Sequence, residues 1–358
     1  MPSLPQVGRV IETQAGEVIA KSESLTITSS NDAAALAAAL AEVAEVRAEV
    51  ASWRSAAALV AASTLSVTTP GRPEQRIIFR TKTPVPFVMT CNSADYVCND
   101  IHGAGVRKEW HDGLGVLIEA LVPGDMMVDF GANTGFFGLA AAARGVKTLA
   151  VEPGQADVCR INAALNGFNQ DIFEFYGVAL VEKRDSGPLV QRIPWQNMGS
   201  ATFVTGSKTT SWTDLFNDAT PHIDLVMPTT TIDDVVRKSI LDPKRPVKLL
   251  KIDVEGFEVY AWRGGQELLA SGLVYVVVAE WHPRFLVSAG VEPTEYLRIF
   301  AKHGYAIYDS IQGSNKIKPE DIDSWAKATG SNNGDIRFVL EDKPWPPVTD
   351  WSPKAGFA

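Results

Sequence analysis

The chain of 358 residues is 46% hydrophobic and 21% charged, which is typical of a globular protein with a sizeable core. Its formal net charge of −9 does not favour nucleic acid or an anionic membrane surface as a partner. The apolar runs are too short to span a bilayer, and the first residues lack the apolar core of a secretory signal. We therefore expect a soluble, cytoplasmic protein.

The N-terminal part changes character at Asn31. Residues 1–30 show no sustained periodicity and are predicted to be a loosely structured leader. From Asn31 to about Val60, apolar residues recur every three or four positions, which predicts a long Ala-rich amphipathic helix. The helix either packs on the domain that follows it or joins copies of the chain into a homo-oligomer, and both options stay open. Residues 1–75 are accordingly separated from a second domain of residues 76–358.

Strands and helices alternate through much of that second part. Residues 77–90 read as two short strands around a Pro-bearing turn, and a helix ends near Val122. The alternation that follows predicts an α/β fold with a mostly parallel sheet and helices on both faces. The predicted strands are 126–130, 147–151, 172–180, 247–252 and 273–279, with two closing strands in GYAIYDS and DIRFVL. The predicted helices are 136–143, 156–166 and 257–270.

The alternation stops between residues 181 and 246. This stretch is rich in Gly, Ser, Thr and Trp and is too long for a simple connection. An insertion beside the carboxyl ends of the strands is either a lid or substrate-selecting element or a hairpin without function.

The three cysteines, Cys91, Cys98 and Cys159, fit neither a disulfide framework nor the ligand spacing of a zinc site. We expect them to be buried or incidental thiols in a reducing compartment.

The stretch VDFGANTGFFGL predicts a strand, a tight turn and a helix. After Asp129, the turn-forming residues Gly131, Asn133 and Gly135 occupy alternate positions, so a ligand can approach bare backbone at a helix N-terminus. Glu152 ends the next strand, where a carboxylate can accept hydrogen bonds from two ribose hydroxyls. Both NAD and S-adenosylmethionine satisfy this geometry. The missing middle glycine disfavours the dinucleotide, and the ammonium group of S-adenosylmethionine suits Asp129.

Six motifs follow one another along the chain: VDFGANTGFFGL, AVEP, NAALNG, TTTIDD, LLKIDVEGFEVYAWRGGQELL and VVVAE. In these motifs and their order the chain resembles the FkbM family of S-adenosylmethionine-dependent methyltransferases, over roughly residues 109–280. The resemblance implies the class I methyltransferase fold, Rossmann-like, with a mostly parallel seven-stranded sheet whose last strand is antiparallel. It also implies S-adenosylmethionine as cosubstrate and O-methylation of a hydroxyl group on a sugar, glycan or other small molecule. The cofactor-binding residues that it implies are Glu109, Asp129, Gly131, Ala132, Asn133, Gly135, Glu152, Pro153, Val178 and Ala179.

Acidic residues and a histidine follow the fourth and fifth core strands. KIDVEG supplies Asp253 and Glu255, and AEWHP supplies Glu280 and His282. Because ligands bind outside the carboxyl ends of the strands, we expect these side chains to converge on the acceptor and one of them to take its proton. Neighbouring carboxylates could also hold a divalent cation, although no metal site is predicted. No Asn/Asp-Pro-Pro-aromatic motif ends the fourth strand, so methylation of a nucleobase nitrogen is not expected.

Two other functions stay open. The chain could be a non-catalytic S-adenosylmethionine-binding or scaffolding protein that assembles through its Ala-rich helix, although intact acids at both strand ends count against this. An NAD-linked oxidoreductase is disfavoured, because DVEG has no role in hydride transfer.

Overall fold

The computed structural model describes residues 76–184, 186–194, 197–205, 208–209, 221–239, 241–242, 244–343 and 345. Apart from Ala164–Gly167, the described residues belong to one compact unit, Glu74–Ala163 with Phe168–Ala358. The predicted leader and Ala-rich helix of residues 1–75 lie outside the described residues.

The described elements are as follows in chain order. The strands are β1 (Arg76–Arg80), β2 (Val88–Asn92), β3 (Met126–Phe130), β4 (Lys147–Val151), β5 (Phe173–Tyr176), β6 (Ala179–Leu180), β7 (Leu189–Pro194), β8 (Thr202–Thr205), β9 (Lys208–Thr209), β10 (His222–Met227), β11 (Thr229–Thr230), β12 (Val247–Ile252), β13 (Val274–Trp281), β14 (Ala306–Tyr308), β15 (Lys316–Ile317) and β16 (Gly334–Val339). The helices are α1 (Tyr96–Ala104), α2 (Gly115–Glu119), α3 (Phe136–Ala142), α4 (Ala156–Leu165), α5 (Ile232–Lys238), α6 (Glu258–Arg263), α7 (Gln266–Ala270), α8 (Pro283–Ser288), α9 (Pro293–Lys302) and α10 (Ile322–Thr329), with a π-helical turn at Trp110–Leu114 and 3-10 turns at Met198–Ser200 and Pro319–Asp321.

The largest sheet has eight strands in the order β15-β14-β16-β13-β12-β3-β4-β5. Strands β5, β4, β3, β12 and β13 pair in parallel, and β16 lies antiparallel between β13 and β14. This is the class I methyltransferase sheet, and the prediction that the last strand is antiparallel is confirmed. The eighth strand, β15, is a two-residue addition that pairs with β14 at the edge of the sheet.

The central strands are apolar on both faces because helices cover the sheet on both sides. In β3, Met126, Val128 and Phe130 pack into one hydrophobic cluster, whereas Met127 packs into the cluster on the other face. The first cluster includes the buried Trp262 of α6, and the second includes helix α3. The helices in the described ranges include none that is long and apolar enough to cross a membrane.

Two predicted elements are each divided in the structure. The predicted strand 172–180 becomes β5 and β6, because the chain leaves the large sheet after Tyr176 and β6 pairs in parallel with β11 instead. The predicted helix 257–270 becomes α6 and α7, which are separated by Gly264 and Gly265. A Cβ atom on Gly264 would lie 2.2 Å from the carbonyl oxygen of Val181. The glycine at the helix break therefore also allows the backbone of Val181 to approach closely.

The insertion forms a sheet of its own. Its described strands are antiparallel in the order β10-β7-β8-β9. The chain then returns through β11 and α5 to the large sheet.

The interpretation of Cys91 and Cys98 as incidental thiols is wrong, because they form a disulfide. Cys91 lies in β2 and Cys98 in the first turns of α1, and the reversal between them brings their Cα atoms to 5.7 Å. This separation is within the usual range for a disulfide, and sequence spacing alone does not reveal it. Cys159 is a buried free thiol, as expected.

Replacing the two bonded cysteines together, Cys91→Ser with Cys98→Ser, should lower the free energy of unfolding by about 2–3 kcal/mol, because the bond restricts the unfolded chain. Urea unfolding measures this loss. Dithiothreitol should destabilise the wild type by a similar amount and leave the double variant unchanged. Titration of the unreduced, denatured wild type should find one free thiol, that of Cys159. Three free thiols would show that the bond is absent.

Candidate active site

A cavity of about 730 Å³ opens at the carboxyl edge of the large sheet, which is a volume suited to a nucleoside-sized ligand. Its wall is built from the ends of β3, β4, β12 and β13, the start of β16, the turn before α2 and parts of the insertion. The glycine loop and the predicted strand-end acids therefore meet in one place.

The loop after β3 has an alternating left-handed backbone, with positive φ at Gly131, Asn133 and Gly135. The N–H groups of Gly131 and Ala132 donate to the carbonyl oxygen of Val151 at 2.9 and 3.1 Å. A Cβ atom on Gly131 would lie 1.7 Å from the carbonyl oxygen of Asp253, so only glycine permits the approach of the two strand ends.

Glu152 holds this loop from the end of β4. Its carboxylate accepts the backbone N–H groups of Asn133 at 3.1 Å, Gly154 at 2.7 Å and Gln155 at 3.2 Å. Burial raises the pKa of Glu152, and the three N–H donors act in the opposite direction. The residue also borders the cavity, beside Pro153.

Asp129 lies beneath the loop instead of on the cavity wall. It is fully buried, and its Oδ2 accepts the N–H of Gly138 at 3.0 Å. Burial raises its pKa. Asp129 is therefore not itself a wall residue, and its predicted role at the methionine end of the cofactor stays a prediction. Gly135 also lies off the wall and instead starts helix α3 with a left-handed backbone.

Lys251 of β12 is a central residue that the sequence analysis did not identify. Its Nζ donates to the carbonyl oxygen of Gly131 at 2.9 Å and lies 3.4 Å from Oδ2 of Asp253 and 3.7 Å from Oδ1 of Asp129. Burial disfavours its charge, but the nearby charges of Asp253, Asp129 and Glu109 together outweigh burial and raise the pKa of Lys251. The available signal was a second lysine, three residues after Lys248, in the strand VKLLKI, whose other residues are apolar.

Three of the four predicted catalytic residues, Asp253, Glu255 and Glu280, line the cavity. Burial is the main cause that raises the pKa of Glu255 and of Glu280, followed by the nearby charge of Asp253. Oε2 of Glu280 is buried and has no hydrogen-bond partner within the described ranges. Glu255 has φ 56° and, with Asn133, is one of two non-glycine residues with positive φ in the described part of the chain. Strained backbone of this kind is concentrated at functional sites.

His282 does not lie on the cavity wall, so the expectation that it joins the strand-end acids there is corrected. It precedes α8 as its N-cap, and its Nδ1 accepts the N–H of Phe285 at 3.4 Å. The two rings stack with their centroids 3.5 Å apart. Burial lowers the pKa of His282, so the neutral ring that this capping role requires is favoured.

Asp335 is a further acid on the wall that the sequence analysis missed. It pairs with Glu280 across β16 and β13. Burial, followed by the charges of Asp253 and Glu109, raises its pKa to about 7. Because β16 is antiparallel to its neighbours, its first residues, not its last, reach the carboxyl edge of the sheet. Acids that begin a strand, such as Asp335, were not among the predicted site residues.

Glu258 organises the turn that carries Glu255. Its Oε1 accepts the N–H groups of Val254 at 2.9 Å and Gly256 at 3.2 Å. Burial raises the pKa of Glu258 to about 7.

The remaining expected cofactor residues border the cavity. Val178 and Ala179 lie on the wall beyond β5, and Glu109 lies on it before α2. Glu109 pairs with Arg107 at 2.6 Å, whereas its Oε2 is buried without a hydrogen-bond partner among the described residues.

The insertion covers the glycine loop. A Cβ atom on Gly199 would lie 2.7 Å from Nδ2 of Asn133, and the N–H of Met198 donates to Oδ1 of Asp95 at 2.7 Å. Asp95 also caps helix α1 inside the disulfide-closed loop. The insertion residues on the cavity wall are Gln191, Asn197, Met198, Gly199, Ser200, Ala201 and Phe203.

The described residues include no group of three or more His, Cys, Asp or Glu side chains arranged to hold a metal ion.

Residues 129–307 match the family model described as the methyltransferase FkbM domain. Among solved structures, a TehB-like SAM-dependent methyltransferase from Corynebacterium glutamicum is 10% identical, with a TM-score of 0.35, over 67% of this chain and 92% of that chain. A putative SAM-dependent methyltransferase from Streptococcus mutans is 11% identical, with a TM-score of 0.35, over 76% of this chain and 57% of that chain. Geranyl diphosphate C-methyltransferase from Streptomyces coelicolor A3(2) is 14% identical, with a TM-score of 0.30, over 63% of this chain and 76% of that chain. No curated protein sequence matches the chain.

Asp335→Asn should change how stability depends on pH. The pKa of Asp335 is about 7 in the folded protein against an ordinary 3.8, so the folded state binds more protons than the unfolded state between these values. The wild-type carboxyl therefore loses its contribution to stability as the pH rises through this window. Asparagine cannot ionise, so the stability of the variant relative to the wild type should increase from about pH 4 to pH 7.

Thermal unfolding at a series of pH values measures this difference. The control is Asp157→Asn, which makes the same substitution at a side chain that is 86% exposed and away from the cavity wall. A difference for Asp335→Asn that does not change with pH would contradict the raised pKa.

Proposed function

The chain belongs to the FkbM family of S-adenosylmethionine-dependent methyltransferases, and from this premise we propose that it O-methylates a hydroxyl group of a small molecule, sugar or glycan. The observation that carries the proposal is the set of carboxylates that share the cavity wall with the glycine loop, Asp253, Glu280 and Asp335. A hydroxyl acceptor has to lose a proton, and these groups are placed to take it.

The cavity fits S-adenosylmethionine. The backbone of Gly131, Ala132 and Asn133 faces the cavity, and Oδ1 of Asn133 is buried without a hydrogen-bond partner in the described ranges. Glu152 offers a carboxylate at the end of β4 for ribose hydroxyls. When bound, the cofactor supplies a methyl group on a sulfonium, which is already activated, so the protein has mainly to align the acceptor.

Asp253 is the carboxylate best placed to take the proton. Its Oδ2 lies 3.4 Å from Nζ of Lys251 and its side chain is 36% exposed, so it has a cation beside it and is accessible to an acceptor. The raised pKa values of Glu280 and Asp335 favour their protonated forms, which can donate hydrogen bonds as well as accept them. Such a mixed set suits an acceptor with several hydroxyl groups. With S-adenosylmethionine bound, Asp253 would take the proton that the acceptor hydroxyl gives up on methylation, and the demethylated cofactor would remain as S-adenosylhomocysteine.

The cellular setting is also part of the proposal. The net charge of −9 supports a protein without nucleic acid as a partner, and the predicted helix before residue 75 supports a homo-oligomer. A cytoplasmic location remains our proposal on composition, and the Cys91–Cys98 disulfide weighs against it because such bonds are rare in reducing compartments.

Glu152→Ala should weaken binding of S-adenosylhomocysteine by about 1.5–3 kcal/mol, the scale of a lost charged hydrogen bond. Isothermal titration calorimetry measures this, with NAD as a ligand that should not bind. Glu174→Ala, which removes a carboxylate from neighbouring β5 away from the cavity wall, is the matched control. Tight NAD binding without any response to S-adenosylhomocysteine would overturn the cofactor assignment.

Asp253→Asn should lower kcat by about 10²–10⁴-fold and change cofactor affinity far less, because it removes the proton acceptor. Release of S-adenosylhomocysteine over a panel of sugars and polyols measures turnover. His282→Asn is the control, since it preserves an N-cap outside the cavity and should keep wild-type turnover. Transfer to amines or thiols but to no hydroxyl compound would refute O-methylation.

A further inference from the structure

Gln191 is a buried amide on the inner face of the insertion. It lies in the middle of β7, between Leu225 of β10 and Phe203 of β8. The side chain is 4% exposed and borders the cavity, and the adjacent inner-face residues Ile193 and Phe203 are apolar and buried. Its Oε1 is buried and has no hydrogen-bond partner within the described ranges. A buried amide oxygen without a hydrogen-bond partner costs free energy of folding. We therefore expect Oε1 of Gln191 to accept a hydrogen bond from a bound ligand.

The amide lies beside the nucleoside end of the cavity. A Cβ atom on Gly154 would be 2.8 Å from Oε1 of Gln191, and the N–H of Gly154 donates to Glu152 at 2.7 Å. Gln191 is therefore next to the turn whose carboxylate is placed for the ribose. Val178 and Ala179, which also lie on the cavity wall, offer only apolar side chains to a base.

We propose that Gln191 recognises the adenine base of the cofactor. A glutamine amide presents an acceptor and a donor side by side, which matches the 6-amino group of adenine and the ring nitrogen next to it. The insertion would then both cover the cavity and bind the adenine base, through Gln191 of β7. The inference rests on S-adenosylmethionine as the cofactor and is independent of the acceptor and of O-methylation.

The test compares S-adenosylhomocysteine with its analogue that carries unsubstituted purine, which lacks the 6-amino group. Calorimetry on the full chain, without any acceptor, measures both affinities. The wild type should bind the purine analogue about tenfold more weakly. Gln191→Met keeps the length of the side chain and removes the amide, so it should bind S-adenosylhomocysteine about tenfold more weakly and should no longer distinguish the two ligands. Without ligand, Gln191→Met should unfold at a higher temperature than the wild type, because an unpaired buried amide is gone.

Two further variants keep the test decisive. Gln191→Asn retains an amide but shortens the side chain by one methylene group, so it should also fail to distinguish S-adenosylhomocysteine from the purine analogue. This variant serves as the test if Gln191→Met does not fold. Arg192→Ala is the matched control on the same strand: it removes the pair with Asp224 at 2.8 Å and should preserve the discrimination. If Gln191→Met binds S-adenosylhomocysteine like the wild type, or still prefers it tenfold over the purine analogue, the proposal is wrong. Failure of O-methylation alone would leave these binding results unchanged.

Discussion

The ammonium group of Lys251 is the interaction on which the site depends. It lies 2.9 Å from the carbonyl oxygen of Gly131 and within 3.4 to 3.7 Å of carboxylate oxygens of Asp253 and Asp129. At an effective dielectric constant of about 20, each ion pair is worth about 4–5 kcal/mol before desolvation is subtracted. The single cation therefore compensates two acids and fixes the glycine loop to the end of β12. Without it, the fully buried Asp129 would be an unpaired charge.

The sequence predicts the parallel core well because its signals are local. Strands 126–130, 147–151 and 247–252 have the predicted boundaries, since each is a short apolar run bounded by turn residues. Likewise, the glycine loop and Glu152 can be found from spacing along one βαβ unit. Elements that depend on partners distant in the sequence are harder to predict. The predicted strand 172–180 divides because β6 pairs with β11, which follows the insertion strands.

The unpredicted parts of the site share one physical cause. Asp335 reaches the cavity because β16 is antiparallel, and Gln191 reaches it because the insertion folds back over the glycine loop. Both placements are consequences of topology, which local periodicity does not contain. His282 is the opposite case. It follows a strand end and was therefore predicted to face the cavity, but its ring caps the next helix. The same limit applies to Cys91 and Cys98, whose proximity depends on a chain reversal.

Different polar groups line the two ends of the carboxyl edge of the sheet. At the β4 and β5 end, Glu152 has three backbone donors and Gln191 has an unpaired amide oxygen. At the β12, β13 and β16 end, carboxylates with raised pKa values surround the space beside Asp253. The insertion approaches both regions: Gln191 lies beside the turn at Gly154, and Gly199 lies against Asn133 of the glycine loop. One segment therefore borders the nucleoside end and the loop that leads from it to the acceptor end.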